Sequence, residues 1–353
     1  MKYLIIAFIA SLITNFIFIK FKVSVVLDLD EGVQKFHTCP TPRSGGLGVF
    51  IGFLAFWLVS FYLKETFCKE LSWLILVSLP VFFAGLVEDF TKKVSPKFRL
   101  LAAFISGLLA VYFLDAGLNR IDFPGIDYLL ANFKFISLIF TAFALAGMAN
   151  AMNIIDGFNG LAAGVSIIIF FTYSYVAFKF NDFLLLHLSL VMVAAIFGFF
   201  MFNFPFGKIF MGDGGSYFIG FIAGLIGILL VKRHSNLSAW FVLMTLAYPV
   251  LETLFSIYRR WFIRKRSPFE PDGTHLHTLI YKNIIKKQYP NVPSVIQNSL
   301  TSPYLWGLQL MTSTLALLFW KNTAMLVLSF FVFCIAYVVL YYRVLRLRNN
   351  SYL

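Results

Sequence analysis

The sequence predicts an all-α integral membrane protein with about eleven transmembrane helices. Of the 353 residues, 60% are hydrophobic and only 13% are charged, a composition far from that of ordinary water-soluble domains. Eleven apolar stretches of about 16–22 residues follow one another, long enough to cross the hydrocarbon core as helices. Polar motifs are concentrated in every second connection, so a chain that crosses the membrane repeatedly would bring them to one side.

The predicted helices occupy most of the chain. No repeat, low-complexity run or linker divides the sequence, so we expect residues 1–353 to form a single polytopic domain. The first stretch is expected to be a retained helix, because it has no clear small-x-small cleavage site. The eleven stretches run approximately over residues 3–19, 46–63, 71–87, 99–116, 134–151, 160–178, 183–201, 216–231, 238–258, 303–320 and 323–342.

The distribution of basic residues predicts the orientation. Of the 29 Lys and Arg residues, 20 lie in the connections after odd-numbered stretches or at the C-terminus. Because cytoplasmic loops are enriched in Lys and Arg, we expect the N-terminus outside and the C-terminus and the motifs in the cytoplasm. The net charge of +13 is then mainly a matter of topology, with attraction to anionic lipid or substrate as a second contribution. No nucleic-acid partner is expected.

The first polar cluster reads Pro42-Arg43-Ser44-Gly45-Gly46 and leads into the second stretch. Glycines at the start of a helix allow backbone N–H groups to turn towards a ligand, an arrangement suited to phosphate. A tight turn into the helix is the alternative interpretation.

The second cluster follows the third stretch and contains Glu88, Asp89, Lys92, Lys97 and Arg99. Adjacent carboxylates at the interface could hold a cation or accept a proton, while the lysine four residues after the first acid tempers their repulsion. A solvated loop that caps its helices is the alternative.

The third cluster contains Asn150, Asn153, Asp156 and Asn159. Two asparagines three residues apart share one face of a helix. The acid and the third asparagine follow in a glycine-containing turn, whose polar groups cannot remain without partners near hydrocarbon. A purely structural turn is the alternative.

The fourth cluster runs from Asn203 to Phe210 and then to Asp213, which glycines flank on both sides. Such flanking exposes a carboxylate together with neighbouring backbone amides, which suits a divalent cation that bridges to phosphate. A helix N-cap would explain the acid, but not the glycine pair that follows it.

The fifth cluster combines a basic run, which includes Arg259 and Arg266, with His275 and His277. Anchoring by the positive-inside rule is the alternative explanation of the basic run. A His-x-His pair can place two donors near one ligand if the backbone is turned, and a nearby proline and glycine favour that. Zinc is not expected, because no further His or Cys lies at ligand spacing.

Taken together and in this order, the motifs resemble those of the polyprenyl-phosphate N-acetylhexosamine-1-phosphate transferases, glycosyl transferase family 4. The resemblance covers about residues 36–278. The family's Pro-x-x-Gly-Gly, Asp-Asp-x-x-Lys, NxxNxxDGxxGL, FMGDxGS and HxHH patterns match the five clusters in turn. Glu88 replaces the first acid and Thr278 the last histidine. The loop lacks the triple histidine of the branch that uses UDP-muramoyl-pentapeptide, which favours UDP-GlcNAc or a related UDP-amino sugar.

The resemblance implies transfer of a sugar-1-phosphate from a UDP-amino sugar to undecaprenyl phosphate, the initiating step of a glycan such as O-antigen, teichoic acid or capsule. It implies that Asn153 and Asp213 hold Mg²⁺, with Mn²⁺ as a substitute, and that Glu88, Asp89 and Lys92 position or deprotonate the lipid phosphate. His275 and His277 are implied on the diphosphate or amino-sugar side. The implied substrate-binding residues are Gly45, Gly46, Asn150, Asp156, Asn159, Asn203, Phe210, Arg259 and Arg266.

The resemblance also implies a bacterial inner-membrane enzyme with a cytoplasmic active site, surrounded by membrane lipid, and leaves a homodimer open. A multi-pass transporter of a nucleotide sugar or another anionic solute is the alternative from another class. Against it, the acids and histidines lie at one face and no inverted repeat is evident. A non-catalytic scaffold would leave the third and fourth clusters unexplained, and the Asp-rich signature of CDP-alcohol phosphotransferases is not found.

Overall fold

A computed structural model describes residues 1–21, 27–28, 41–265, 267 and 273–347. Over these residues the chain is helical apart from one short antiparallel pair, in which β1 (Leu27–Asp28) lies beside β2 (Thr41–Pro42). The prediction of an all-α multi-pass membrane protein is therefore confirmed in its class, with this two-residue pairing as a local exception.

Fifteen α-helices and two π-helical turns make up the described part of the chain. The π-helical turns are Arg259–Ile263 and Tyr281–Ile285. The α-helices are α1 (Lys2–Phe21), α2 (Gly45–Tyr62), α3 (Cys68–Thr91), α4 (Pro96–Leu114), α5 (Pro124–Asn132), α6 (Lys134–Ile155), α7 (Leu161–Lys179), α8 (Phe183–Asn203), α9 (Gly212–Arg233), α10 (Ala239–Thr245), α11 (Ala247–Tyr258), α12 (Leu276–Ile280), α13 (Lys286–Gln288), α14 (Ser294–Phe319) and α15 (Thr323–Arg346).

Nine helices of the described chain are long and apolar enough to cross a membrane, namely α1 to α4, α6 to α9, and α15. The bent pair α10 and α11 is a tenth candidate. The predicted stretch 303–320 falls, except for its last residue, within the longer helix α14. This helix carries a row of buried polar side chains and is not among these spans. Eleven apolar stretches are thus eleven helical regions, but the predicted number of spans is not confirmed. The row on α14 comprises Gln297, Asn298, Ser299, Thr301, Ser302, Gln309, Thr312 and Ser313.

The predicted stretch 238–258 is broken rather than continuous. Its two halves meet at Leu246 and are bent by 73°. Pro249 has no N–H to donate to the carbonyl four residues earlier, and its ring crowds that carbonyl, so the helix cannot continue straight. The carbonyl concerned, that of Thr245, instead accepts a hydrogen bond from Gln309 Nε2 of α14 at 2.7 Å.

Helix α9 lies at the centre of the bundle and is buried from Gly212 to Val231. It packs against α2, α3, α6 and α7. At its N-terminus it crosses α2 at Gly46 and Gly215, where a Cβ added to Gly215 would lie 2.5 Å from Gly46 Cα. Only glycines allow so close a crossing, and this contact sets the position of the first turn of α9.

Candidate active site

The five polar clusters meet at one end of the bundle. The first and fourth are joined by a hydrogen bond from Gly45 N to Phe210 O at 2.9 Å. The third and fourth are joined by Gly160 N, which donates to Asn203 Oδ1 at 2.6 Å. The loops that carry the first, third and fourth clusters are therefore held together by hydrogen bonds.

Asp89 at the end of α3 caps the N-terminus of α9. Its Oδ1 accepts from Asp213 N at 2.8 Å and its Oδ2 from Gly214 N at 2.9 Å. These are N–H groups of the first helical turn, which have no partner within their own helix. Asp89 is only 1% exposed, because Gly85, one turn earlier, lets α3 approach the same backbone closely. The second and fourth clusters are thereby fixed to each other.

Asp213 gathers polar side chains from three other clusters. Asn153 Nδ2 donates to Asp213 Oδ1 at 2.9 Å, and Arg99 donates to Asp213 Oδ2. Arg43 Nη2 lies 3.5 Å from Asp213 Oδ1, while its Nε lies 3.9 Å from Asp89 Oδ1. Two guanidinium groups thus balance two buried carboxylates. The sequence displayed both arginines, but nothing in it indicated that they share one carboxylate.

Asn150 lies on the same helix face as Asn153, as its spacing predicted. Its Oδ1 accepts from Tyr217 Oη at 3.2 Å. The guanidinium carbon of Arg99 lies 5.6 Å from the centre of the Tyr217 ring, within the range of a cation–π contact. Helices α4, α6 and α9 are therefore connected immediately next to Asp213.

The predicted Mg²⁺ ligands Asp213 and Asn153 are in direct contact, and carboxylate and amide oxygens are ligands that Mg²⁺ accepts. No group of three or more His, Cys, Asp or Glu residues with metal-ligand geometry occurs among the described residues. A Mg²⁺ ion here would therefore rely on Asp213, Asn153 and phosphate oxygens of a substrate, the usual arrangement for this ion in phosphate-transferring enzymes. Arginine and asparagine N–H groups now contact both oxygens of Asp213, so a bound ion would replace part of that positive charge. The carboxylate and amide oxygens themselves fit the ion.

Asp89 accepts from the backbone N–H of Asp213. Glu88 instead bonds to the turn that follows α3, and Lys92 lies at the start of that turn. Glu88 Oε2 accepts from Val94 N at 2.6 Å, which stabilises the turn between α3 and α4. Lys92 ends α3 in the left-handed region, with φ of 56°, and is exposed. The two adjacent carboxylates thus have different contacts: Glu88 bonds to the turn before α4, and Asp89 bonds to α9.

A cavity of about 1160 Å³ opens beside this cluster and runs between α4, α6, α9, α10 and α11. Beyond its polar end it is lined almost entirely by apolar side chains, as far as Leu118, Ile121 and Trp240. Asp156 is half-buried in its wall, and burial raises the pKa of this carboxyl to about 7, partly opposed by Arg43. The polar end is lined by Lys97, Arg99, Asn150, Asn153, Asp156, Arg260, His275, His277 and Thr278.

The two histidines line the polar end of the cavity side by side. Their rings stack with centroids 5.1 Å apart, and the His277 ring lies 5.4 Å from that of Phe158 in the third cluster. Arg259 is buried and donates to Thr274 Oγ1 in the segment before the histidines. The neighbouring Arg260, which the sequence did not single out, is the described arginine of the fifth cluster that lines the cavity. The predicted residue Arg266 lies outside the described residues.

Several predicted substrate-binding groups are bonded to the protein itself. The N–H groups of Gly45 and Gly46 donate to the carbonyls of Phe210 and Met211. These two amides are therefore not directed at a phosphate, contrary to the interpretation of the glycine pair. The Phe210 side chain is half-buried, and its predicted role in substrate binding stays a prediction.

Asn159 and Asn203 are likewise held by protein contacts. Asn159 Nδ2 donates to Ser299 Oγ at 3.1 Å, and its backbone N–H donates to Asn298 Oδ1 at 2.8 Å. Asn203 Nδ2 donates to Ile209 O at 2.7 Å. Both residues hold loops in place, and their predicted binding of substrate stays a prediction.

The profile of glycosyl transferase family 4 matches residues 71–231. A protein of Bacillus subtilis named probable undecaprenyl-phosphate N-acetylglucosaminyl 1-phosphate transferase is 32% identical over 281 residues, which cover 78% of this chain and 76% of the relative. An undecaprenyl-phosphate alpha-N-acetylglucosaminyl 1-phosphate transferase of Thermotoga maritima is 26% identical, covering 79% of this chain and 81% of its own length. One of the same name from Salmonella typhi is 28% identical, covering 76% and 73%.

The matched residues include α3, α6 and the first turn of α9, the elements that carry Asp89, Asn153 and Asp213. Similarity to the Bacillus protein extends over more than two thirds of both chains. The chain is therefore a membrane transferase that belongs to glycosyl transferase family 4, in the branch of the undecaprenyl-phosphate N-acetylglucosaminyl 1-phosphate transferases.

Proposed function

We propose that the protein transfers GlcNAc-1-phosphate from UDP-GlcNAc to undecaprenyl phosphate and releases UMP, at the cytoplasmic face of a bacterial inner membrane. The observation that carries the proposal is the cavity, which has a polar, cationic end beside Asp213 and an otherwise apolar wall. An acceptor with a phosphate head and a long hydrocarbon chain matches this cavity, because its charged head suits the cationic end and its chain suits the apolar wall. The names of the relatives support this acceptor and donor.

The acceptor phosphate would lie at the polar end, among Lys97, Arg99 and Arg260. These cations lower the free energy of a phosphate held at the edge of the membrane. The polyprenyl chain would occupy the apolar length of the cavity, which continues between α6 and the bent pair α10 and α11. Burial of hydrocarbon there would supply much of the binding free energy.

In the proposed reaction, an oxygen of the lipid phosphate attacks the β-phosphorus of the nucleotide sugar, and the bond to the α-phosphate oxygen breaks to release UMP. A phosphate is already a nucleophile, so the basic residues at the polar end need mainly to position it. Asp89 would act through the first turn of α9, which it caps and which carries Asp213. Asp213 and Asn153 would hold Mg²⁺, which neutralises charge on the diphosphate. His275 and His277 lie across the cavity end and would contact the donor diphosphate.

The experiment that tests the proposal uses purified protein, undecaprenyl phosphate, Mg²⁺ and a panel of UDP-amino sugars. UMP release and a lipid-linked diphosphate sugar are measured with and without chelator, and with Mn²⁺ in place of Mg²⁺. We expect chelator-sensitive product with UDP-GlcNAc. Absence of product with every donor, in protein shown to be folded, would overturn the proposal. Which glycan the product initiates would then be read from the phenotype of cells that lack the protein.

A further inference from the structure

A buried glutamate lies behind the two histidines. Glu252 is in the middle of α11 and is 1% exposed. Its Oε1 lies 3.2 Å from His275 Nδ1 and accepts from Leu276 N at 2.9 Å. Its Oε2 accepts from Tyr337 Oη of α15 at 2.8 Å. This carboxylate therefore joins α11 to the start of α12 and to α15.

A carboxylate this deeply buried is retained at a free-energy cost unless its partners are well placed. Leu276 N belongs to the first turn of α12, so one bond holds the segment that carries the histidines. The bond to His275 acts on the ring itself. With Nδ1 turned to the carboxylate, Nε2 is the ring nitrogen that can act on a ligand in the cavity.

The surroundings of the His275 ring are restricted. His277 stacks on it, and both rings line the polar end of the cavity. Other ionisable groups near this assembly are Tyr337 on α15, Tyr248 one turn before Glu252, and Arg260 on the cavity wall. Among the residues that the structure describes, Glu252 is the acid in direct contact with the ring, so it can fix both the ring orientation and the position of its Nδ1 proton.

We propose that Glu252 is a positioning residue for the transfer reaction, which holds His275 through Nδ1 and thereby presents Nε2 to the diphosphate of the nucleotide sugar. The identity of that ligand rests on the proposed function. A carboxylate that orients a histidine also stabilises the ring when it carries positive charge, which is the form that an incoming diphosphate favours. Tyr337 holds the second carboxylate oxygen and so limits rotation of the glutamate.

The test is a double-mutant cycle on the full chain, with Glu252→Gln, His275→Ala and the two together. The glutamine side chain keeps an oxygen that can accept from Leu276 N, so the fold should be retained, but the substitution removes the charge. We expect kcat/KM for UDP-GlcNAc to fall on the order of tenfold to a hundredfold, as when an orienting carboxylate is lost behind a metal-bound histidine. In the His275→Ala background the same change should have little further effect, because no ring remains to be held.

A purely structural role predicts a different outcome, in which the two losses multiply. Multiplying losses, or wild-type activity in Glu252→Gln, would overturn the inference. Glu70→Gln is the matched control, because Glu70 lies on another helix and pairs with Arg233, and it should leave kcat/KM unchanged. If Glu252→Gln does not fold, Tyr337→Phe keeps the charge and should give a smaller loss, which again disappears without His275.

A second measurement does not depend on activity. The protein has five histidines, so ¹⁵N-histidine NMR of wild type and His275→Ala can assign the His275 ring. We expect its neutral form to carry the proton on Nδ1 in wild type, and a mixture of tautomers in Glu252→Gln. An Nε2-protonated ring in wild type would overturn the inference. Failure of wild type to transfer any sugar would instead overturn the proposed function, and the NMR result would still stand.

Discussion

Asp213 is the residue on which four of the five polar clusters meet. Arg43 comes from the first cluster, Arg99 from the second and Asn153 from the third, and all lie within contact distance of its carboxylate. The two arginines hold this carboxylate in its charged form. A metal ion with its bound phosphate could therefore replace one of the arginine contacts. We therefore expect the reaction to require the negative charge of Asp213.

Replacement of Asp213 by asparagine should nearly abolish turnover. The side chain keeps its size and can still contact Asn153, but the negative charge that would hold Mg²⁺ is lost. UMP release in folded protein is the measurement, and Asp115→Asn is the control, since the Asp115 side chain is 91% exposed and pairs with Lys232. Near-normal UMP release from Asp213→Asn would remove this residue from the reaction.

Asp89→Asn should lower stability as well as activity. Both oxygens of Asp89 accept backbone N–H groups of α9, and an amide offers only one oxygen. One buried N–H is left without an acceptor, which costs about 1–3 kcal/mol. Thermal unfolding in detergent should therefore show a lower midpoint for Asp89→Asn than for wild type or Asp213→Asn. A midpoint equal to that of wild type would mean that capping of α9 does not depend on this carboxylate.

At the scale of single residues, the sequence predicted which residues belong to the site better than it predicted which of them contact one another. The motifs pointed to Asp89, Asn153 and Asp213, which do lie together. The pairing of Arg43 and Arg99 with one carboxylate could not be predicted, because it depends on the packing of α2 and α4 against α9. Glu252 was a different kind of omission: a single acid in an apolar stretch is itself a signal of a buried functional contact.

At the scale of elements, α14 shows most clearly what hydropathy alone misses. Its first half carries polar side chains that bond to the loop between α6 and α7. Asn298 Oδ1 accepts from Asn159 N at 2.8 Å, and Ser302 Oγ donates to Asn159 O at 2.6 Å. Trp306 Nε1 donates to Gly160 O at 3.1 Å. The loop that bears Asp156 is thus held from behind by a helix far away in sequence.

The double variant Asn298→Ala and Ser302→Ala should raise the KM for the nucleotide sugar. Without these bonds the backbone of Asn159 loses two partners, and the loop that places Asp156 at the cavity becomes less restrained. We expect kcat/KM to fall on the order of tenfold, about 1.4 kcal/mol in transition-state binding. Leu310→Ala, on the exposed face of the same helix, should behave as wild type. Equal losses in the two variants would indicate general destabilisation of α14.

The bend between α10 and α11 also follows from the sequence once its cause is known. Pro249 within an apolar stretch indicates a break, but the stretch as a whole was long enough to be taken as one span. Gln309 of α14 satisfies the carbonyl that the break releases. The apolar stretch itself was therefore predictable from the sequence. The bend within it depends in addition on α14, a helix that hydropathy does not connect with it.

At the scale of the whole molecule, all the motifs lie at one end, as alternation of the connections predicted. The helices near the C-terminus follow the same pattern, although they are not all straight apolar spans. Helix α14 begins beside Asn159 and ends beside Ser238, whose backbone N–H donates to Trp320 O at 3.0 Å. The bent pair starts at that same end and reaches the histidines with Glu252. The cavity extends between these two ends of the bundle.

Gly147 on α6 provides a direct test of whether the cavity takes the lipid acceptor. It lines the cavity, and a Cβ added there would meet no atom within 4 Å. Gly147→Leu should therefore project into the cavity without disturbing the bundle, and helix propensity favours Leu over Gly by roughly 1 kcal/mol. Because the added side chain takes up space that a polyprenyl chain would fill, we expect a higher KM for undecaprenyl phosphate and a smaller change for UDP-GlcNAc.

Gly307 on α14 is a matched control, because a Cβ there also has open space within 4 Å and Gly307 is not part of the described cavity wall. Gly307→Leu should leave both KM values unchanged. If Gly147→Leu left the KM for undecaprenyl phosphate unchanged, or raised only that for UDP-GlcNAc, the hydrocarbon chain would have to lie elsewhere.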